Sequence, residues 1–197
     1  MAYLVRKTKR LIIRPLKASD YSQWKISNTT MLPPQNTWDH KNRALEEVTR
    51  IRFRKVLSHQ MKMRKQDYFF DLGVFEKSSG ALIGTVALMN VLRGASQSAF
   101  LGYRIHNRYW NRGYGKEAVL AAMEIGFVDL KLHRLEAGVE PPNRRSILLS
   151  RSLGFRKEGL KRGMVYLREK WQDLIIYAIT CEELGIKWNG EIRARVR

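Results

Sequence analysis

Two glycines stand close together in residues 110–116, which read Trp-Asn-Arg-Gly-Tyr-Gly-Lys. Glycine lets the backbone approach a ligand closely, and the free amides that open a helix attract phosphate. The segment lies between a predicted strand and a predicted helix, so we expect it to hold a pyrophosphate. A Walker loop does not fit, because it needs four residues between its glycines and Ser or Thr after the lysine, where Glu117 stands. A dinucleotide fingerprint does not fit either, because it needs a third glycine and an early βαβ unit.

Metal-binding side chains are few and scattered. Cys181 is the only cysteine, and the four histidines show no ligand spacing. We therefore expect no metal, no internal disulfide and a reducing compartment. His106 and His133 flank predicted strands and are expected to be strand-end residues rather than ligand contacts.

The charge of the chain is strongly positive. Lys and Arg number 37 against 18 Asp and Glu, which gives a net charge of +19. Residues 50–65 hold seven basic side chains and no acidic one. A solvated helix face would explain such a run, but a skew over the whole chain also favours a polyanionic partner such as nucleic acid. Apolar runs are too short to span a membrane, and the N-terminus has no signal-peptide core, so we expect a cytoplasmic protein with no membrane partner.

The pattern of apolar residues predicts one domain over residues 1–188 and a basic tail over 189–197. Strands are expected at residues 10–16, 68–75, 81–91, 97–105, 133–140, 165–167 and 174–180. Helices are expected after a Ser19-Asp20 cap, within 40–65, and at 116–130 and 143–153. In residues 40–65 the apolar positions used for this prediction are Leu45, Val48, Ile51, Val56, Leu57 and Met61. This order predicts an α/β (α+β) fold with a mixed, mostly antiparallel central sheet and helices on both faces.

Six short segments in this order resemble the GNAT acetyltransferases, and more closely their RimJ/RimL-like branch, which acetylates ribosomal proteins. The segments are residues 82–84, 101–105, 110–115, 143–146, 153–159 and 171–173, and the resemblance runs from about residue 70 to residue 177. The family pattern has Gln or Arg where this chain has Trp110, a variant that Rim-like members share.

The resemblance implies acetyl-CoA as the co-substrate and assigns its contacts. The strand segment Tyr103, Arg104 and Ile105 would pair its backbone with the pantetheine arm, and Asn143 would hydrogen-bond that arm, although Asn is also a favoured helix N-cap. The pyrophosphate would be held by Trp110, Asn111, Arg112, Gly113, Tyr114, Gly115 and Lys116.

The resemblance also points to Ser146 as the catalytic residue. Many family members protonate the departing thiolate with a Tyr seven residues after the Asn, but Ser150 stands there in this chain. Rim-like enzymes carry a serine at the position of Ser146, and on a helix Ser146 and Ser150 share a face. We predict Ser146 as the donor, with Ser150 or water as alternatives. A serine in the first turn of a helix is also often a cap.

No acidic residue stands out as a general base that would deprotonate the acceptor amine. Glu140 and Asp173 could anchor a water chain, but Asp173 is expected to fix backbone or an Arg near the late strands. An α-amine titrates near ~8 and lysine near ~10.4, so an α-amine needs less help. Trp24, Trp38 and Tyr68 could line an acceptor pocket or lie buried.

The predicted function is therefore transfer of acetyl from acetyl-CoA to the N-terminal α-amine of a ribosomal protein, with ribosomal RNA contacting the basic surface. Two alternatives stay open. One is an acetyltransferase for a small-molecule amine, and the other is a non-catalytic ribosome-binding or nucleic-acid-binding module on the same fold.

Overall fold

The computed structural model describes residues 4–190, which form one eight-stranded sheet and four α-helices. The strands are β1 (Arg6–Lys7), β2 (Leu11–Arg14), β3 (Phe69–Glu76), β4 (Leu82–Leu92), β5 (Ser98–Ile105), β6 (Arg134–Val139), β7 (Arg156–Leu167) and β8 (Lys170–Thr180). The helices are α1 (Tyr21–Thr29), α2 (Arg50–Lys65), α3 (Tyr114–Glu124), which a π turn at Ile125–Asp129 continues, and α4 (Arg144–Ser152). Short 3₁₀ turns cover Ala18–Asp20, Leu45–Glu47, Asn107–Tyr109 and Glu182–Leu184.

The strands lie in the order β1-β2-β3-β4-β5-β6-β8-β7. Every neighbouring pair is antiparallel except β5 with β6. Parallel neighbours need a crossover of a dozen or more residues, and α3 provides it here. The predicted mixed, mostly antiparallel sheet is confirmed.

Alternation along β3 shows which helices cover which face. Phe70 and Leu72 belong to the main core together with Ala122 of α3 and the end of α4. Asp71, out of phase with them, accepts a hydrogen bond from Gln60 of α2. Successive side chains of a strand point to opposite faces, so α2 lies across the sheet from α3. A second core cluster joins α1 to α2. We call the two sides the α1–α2 face and the α3–α4 face.

The basic helix differs from its prediction. Residues 40–44 are not helical, and α2 begins at Arg50, where the Thr49 hydroxyl caps it by accepting from the amide of Arg52. Three of the apolar residues used to predict this region are exposed, namely Leu45, Ile51 and Met61. The seam that α2 buries keeps the predicted Val56 and Leu57 and adds Phe53 and Gln60.

Two other elements also differ. The Asp20 carboxylate pairs with Arg14 and accepts from the amide of Lys17, so it serves the 3₁₀ turn and not the start of α1. The late strand β7 begins at Arg156, well before the predicted Val165. β7 is an edge strand whose side chains are mostly exposed, so its sequence lacks the apolar alternation that marks a buried strand.

No helix within residues 4–190 is long and apolar enough to cross a membrane. Of the predicted basic tail, residues 191–197 lie outside the described part of the chain.

Candidate active site

A cleft opens where β5 and β6 separate. Their parallel pairing covers only three positions and ends at Phe100 with Glu136. Beyond that point the strands line a cavity of about 140 Å³ between them. Its walls are Leu101, Gly102, Tyr103, Val119, Ala137, Gly138, Val139, Ser146, Leu149, Ser150, Leu153 and Phe155. This narrow, half-apolar slot has room for an extended chain beside β5.

Three hydroxyl-bearing side chains line the cavity. The Tyr103 hydroxyl lies 3.1 Å from Oγ of Ser146, and Ser150 lines the same cavity one turn further along α4. Burial raises the pKa of Tyr103, so the phenol keeps its proton at neutral pH. The two serines share the cavity-facing side of the helix, as their spacing predicts. The phenol next to Ser146 was not foreseen as a proton donor, because only the fold brings Tyr103 onto α4.

Asn143 begins α4. Its side-chain oxygen accepts from the amide of Ser146 at 3.2 Å, which is the N-cap contact that its residue type favours. This bond fixes the first turn of α4 and holds Ser146 beside the cavity. A contact of Asn143 with pantetheine stays a prediction.

The glycine loop leads directly into α3. Gly113 is the N-cap of α3 with φ 76°, and no side chain caps the helix there. The amides of the first turn are therefore available to an anion. Asn111, with φ 59°, is also left-handed, while Arg112 and Lys116 are exposed cations.

Trp110 and Arg10 hold the loop in place. The indole N–H of Trp110 donates to the carbonyl of Ile105 at 2.6 Å, and the Arg145 guanidinium lies 4.4 Å from the indole ring. Arg10 donates to the carbonyl of Arg112 and forms an ion pair with Glu117. The loop is thus fixed to the end of β5 and to the turn before β2.

Tyr114 turns away from the loop. Its side chain is buried, its hydroxyl donates to Glu76, and the Arg10 guanidinium lies over its ring. Only the backbone of Tyr114 is placed for an anion, whereas Gly115 lies close to Leu149 and Tyr103 at the cavity wall.

The side chain of Arg104 lies on the other side of the sheet from its neighbours. Tyr103 and Ile105 face α3 and α4, so Arg104 points to the α1–α2 face, as does its cross-strand neighbour Thr85. The backbone of Arg104 can therefore contact a ligand in the cleft, while its guanidinium lies on the opposite face of the sheet. Burial lowers the pKa of Arg104, and Asp71 opposes this shift.

Two titratable groups lie near Arg104, of which His106 was considered in the sequence prediction but Asp71 was not. Burial raises the pKa of Asp71 on β3, and burial together with the charge of Arg104 lowers the pKa of His106 to about 4. His106 therefore stays neutral at physiological pH, with Nε2 3.3 Å from the hydroxyl of Ser27. The signal for Asp71 was its position as an acid between the apolar residues Phe70 and Leu72 of the strand.

The segment between α1 and α2 crosses the α1–α2 face and is tied to the strand ends. The side-chain amide of buried Asn107 accepts from the backbone N–H of Leu32 and donates to the carbonyl of Leu32. It also donates to the carboxylate of Asp39 at 2.8 Å. The indole N–H of Trp38 donates to Glu140 at 2.8 Å, and Arg168 pairs with the same carboxylate. Glu140 is therefore engaged structurally.

The other predicted candidates have structural contacts as well. Asp173 accepts from the amide of Gly163 at 2.8 Å, as expected for an acid that fixes backbone. Trp24 is buried against Phe53 and Tyr21. Tyr68 is exposed. Within the described residues, His, Cys, Asp and Glu form no group that could hold a metal.

Comparison with known proteins agrees with this geometry. Residues 10–156 match the family described as "Acetyltransferase (GNAT) domain". "Probable N-acetyltransferase YjcK" of Bacillus subtilis (strain 168) is 38% identical over 126 residues, which are 64% of this chain and 70% of that protein. "[Ribosomal protein uS5]-alanine N-acetyltransferase" of Escherichia coli (strain K12) is 32% identical over 60% of this chain and 61% of its own length.

A solved structure, Mycobacterium smegmatis RimJ in complex with CoA-disulfide, superposes with TM-score 0.75 at 22% identity and covers 91% of this chain and 88% of its own. The aligned stretch spans less than two thirds of the E. coli enzyme, so the acceptor of that enzyme is not carried over as a finding. The family match covers most of the chain, and its members use acetyl-CoA. The chain belongs to the GNAT acetyltransferase family, and acetyl-CoA is its acetyl donor.

Proposed function

We propose that the protein acetylates the N-terminal α-amine of a ribosomal protein. One observation supports this most strongly. The cleft between β5 and β6 runs from an uncapped helix start to a cavity where a phenol and a serine hydroxyl meet. The acceptor class follows the name of the E. coli relative, and the basic surface agrees with it.

The residues fit acetyl-CoA along the cleft. Residues 103–105 belong to the part of β5 that no longer pairs with β6. Pantetheine would extend along their backbone. The loop at 110–116 has the left-handed Gly113 and free amides for the pyrophosphate, with Arg112 and Lys116 as nearby cations. Asn143 lies at the start of α4, where it would hydrogen-bond the pantetheine arm.

The hydroxyl groups account for the proton that the thiol product needs. When the amine nitrogen bonds to the acetyl carbon and the carbon–sulfur bond breaks, the sulfur gains a proton and the nitrogen loses one. Ser146 and Tyr103, hydrogen-bonded to each other, are the donors at the cavity. Water accepts the amine proton, because part of an α-amine population is already neutral near pH 7. A strand amide polarises the carbonyl.

The same proposal covers the domain, the RNA contact and the compartment. Residues 1–188 act as one domain, and ribosomal RNA contacts the exposed basic side of α2. A ribosomal acceptor also places the reaction in the cytoplasm.

The test is mass spectrometry of ribosomal protein N-termini from cells with and without this protein. We expect one or a few N-termini to lose a 42 Da acetyl group, roughly the mass of C2H2O, when the protein is missing, and purified enzyme with acetyl-CoA to restore it. If no ribosomal N-terminus changes but the enzyme acetylates a small amine, the proposed acceptor is wrong. If acetyl-CoA does not bind, the non-catalytic module gains support.

A further inference from the structure

Arg104 has a buried nitrogen and a charge that no direct contact among the described residues satisfies. Its Nε atom is buried without a hydrogen-bond partner, and among residues 4–190 the guanidinium has no ion pair. Buried charges in proteins are normally paired, because an unpaired one loses its hydration without compensation. A buried guanidinium nitrogen without a hydrogen-bond partner therefore marks a place where an anionic group could bind.

The nearby carboxylates are already engaged. Asp71, which attracts Arg104 electrostatically, accepts at 2.7 Å from the amide of Gln60 and forms no ion pair within the described chain. The Asp39 carboxylate accepts from Asn107 and from two backbone amides. Neither acid supplies the fork-shaped contact that a guanidinium takes.

The other groups in reach are one cation and two uncharged histidines. Arg43 acts on Arg104 as a second positive charge, and burial together with the charge of Arg104 lowers the pKa of His40 and of His106, while Asp39 opposes both shifts. His40 and Arg43 belong to the segment that crosses the α1–α2 face. Two guanidinium groups in one pocket disfavour a polycationic acceptor and favour an anionic one.

We propose that the side chain of Arg104 binds an anionic group of the acceptor, a carboxylate carried by the second residue of the acceptor chain. This rests on the proposed function. Arg104 lies two residues along β5 from Gly102 at the cleft, or about 7 Å of strand. An extended peptide spans about 3.3–3.6 Å per residue, so the second residue of an acceptor that enters the cleft from the α1–α2 face comes within reach of the guanidinium. Its planar fork matches a carboxylate.

The test uses four acceptor peptides that share an N-terminal Ala and differ only at the second residue, which is Asp, Glu, Asn or Lys. We expect kcat/KM for the Asp or Glu peptide to exceed that for the Asn peptide by about tenfold to a hundredfold, since a hydrogen bond to a charged group contributes on that scale. The Lys peptide should be the poorest. In Arg104→Gln the four rates should converge, and Arg104→Lys should keep part of the preference.

Arg162→Gln is the matched control, because Arg162 is an exposed arginine on β7 away from this pocket. It should keep the full preference for acidic peptides. Equal rates for all four peptides in the parent enzyme would overturn the proposal even if no Arg104 variant folded. If none of the peptides is acetylated although a small amine is, the proposed acceptor class fails and not the site.

A second readout separates binding from a structural role. His106 faces Arg104, His40 and Asp39, so its titration by NMR reports the local charge. The acetylated Ala-Asp product should raise the pKa of His106 in the parent by partly neutralising Arg104, and the Ala-Lys product should not. In Arg104→Gln the His106 pKa should start higher and respond to neither. A His106 pKa unaffected by the acidic product would contradict the proposed contact.

Discussion

Tyr103 and Ser146 reach the cleft from opposite walls, one from β5 and one from the first turn of α4. Their hydroxyls are 3.1 Å apart, so a proton given to sulfur by one can be replaced by the other. The sequence indicated only the serine, since the position where many relatives carry a tyrosine holds Ser150. The fold restores a phenol to the same cavity from a different element.

We predict that Ser146→Ala and Tyr103→Phe each lower turnover more than they weaken acetyl-CoA binding, because a proton donor acts as charge develops on sulfur. General acid assistance contributes roughly 100-fold or more. If the two act as one unit, the double variant should lose little more than the worse single variant. The turnover rate is measured under conditions where the chemical step is shown to be rate-limiting, and calorimetry measures the affinity for acetyl-CoA.

Ser150→Ala is the matched control for the pair, since Ser150 lines the cavity one turn away. A smaller loss is expected there. Unchanged turnover in Ser146→Ala, together with a large loss in Ser150→Ala, would reverse the assignment.

His106 makes stability depend on pH. Burial first, then the charges of Arg104 and His40, lower its pKa from 6.5 to about 4 in the folded protein. The unfolded chain therefore binds more protons between these two values, and the free energy of unfolding should fall as pH drops from 6.5 towards 4. Each pKa unit corresponds to about 1.4 kcal/mol, so the loss is on the order of 3 kcal/mol.

Urea unfolding of the parent and of His106→Gln at pH 7 and pH 4.5 would measure this contribution. Because other groups titrate in both proteins, the test compares how much the free energy of unfolding falls between pH 7 and pH 4.5 in the parent and in the variant. The variant should lose less stability on acidification, and equal losses would show that His106 is readily protonated in the folded state.

At the scale of elements, the glycine loop depends on one backbone conformation. Gly113 has φ 76°, and a Cβ there would lie 3.4 Å from the Arg10 guanidinium. We predict that Gly113→Val abolishes acetyl-CoA binding, because a β-branched residue at positive φ costs about 1–3 kcal/mol and shifts the amides. Isothermal calorimetry of a variant shown by circular dichroism to be folded is the measurement.

Gly113→Asn is the control, since Asn tolerates the left-handed region. It should keep measurable affinity. Unchanged affinity in a folded Gly113→Val protein would mean that the loop does not hold the pyrophosphate.

Elements with a regular apolar pattern could be predicted from the sequence, and elements without one could not. The helix after the glycine loop was foreseen because Ala118, Ala122 and Ile125 recur on one side, and all three are fully buried. Half of the α2 seam was foreseen in Val56 and Leu57, but Gln60 was missed because it does not read as apolar. β7 was mostly missed because it is an exposed edge. Contacts such as Tyr103 with Ser146 depend on the assembled sheet, so no local pattern reports them.

At the scale of the whole molecule, one cluster of the excess positive charge lies on the exposed side of α2. The exposed cations there are Arg50, Arg52, Arg54, Lys55, Lys62 and Lys65, whereas Arg64 is partly buried and acts on Asp71. Arg52 pairs with Glu47, so the free charges best suited to a polyanion are Arg54, Lys55, Lys62 and Lys65. The sequence indicated this surface, but it could not tell Arg64 from its exposed neighbours.

We predict that reversing Arg54, Lys55, Lys62 and Lys65 to Glu depresses acetylation of a ribosome-associated acceptor and spares a free peptide with the same N-terminus. Phosphate contacts release counterions, so the logarithm of association should fall with the logarithm of salt by about 0.7–0.9 per contact. The reversed variant should lose that slope on the ribosomal acceptor. Rates against salt for both acceptors provide the measurement.

A control with the same change in net charge decides whether position matters. Lys157, Lys161, Arg162 and Lys170 are exposed on the β7–β8 hairpin, so reversing them alters the total charge equally but leaves α2 intact. Non-specific attraction would respond to both variants alike, because it depends on net charge. A docked α2 surface would respond only to the first variant. Equal salt slopes for the ribosomal acceptor and the peptide in the parent enzyme would mean that the α2 surface serves only solubility. They would then favour a small-molecule amine as the acceptor.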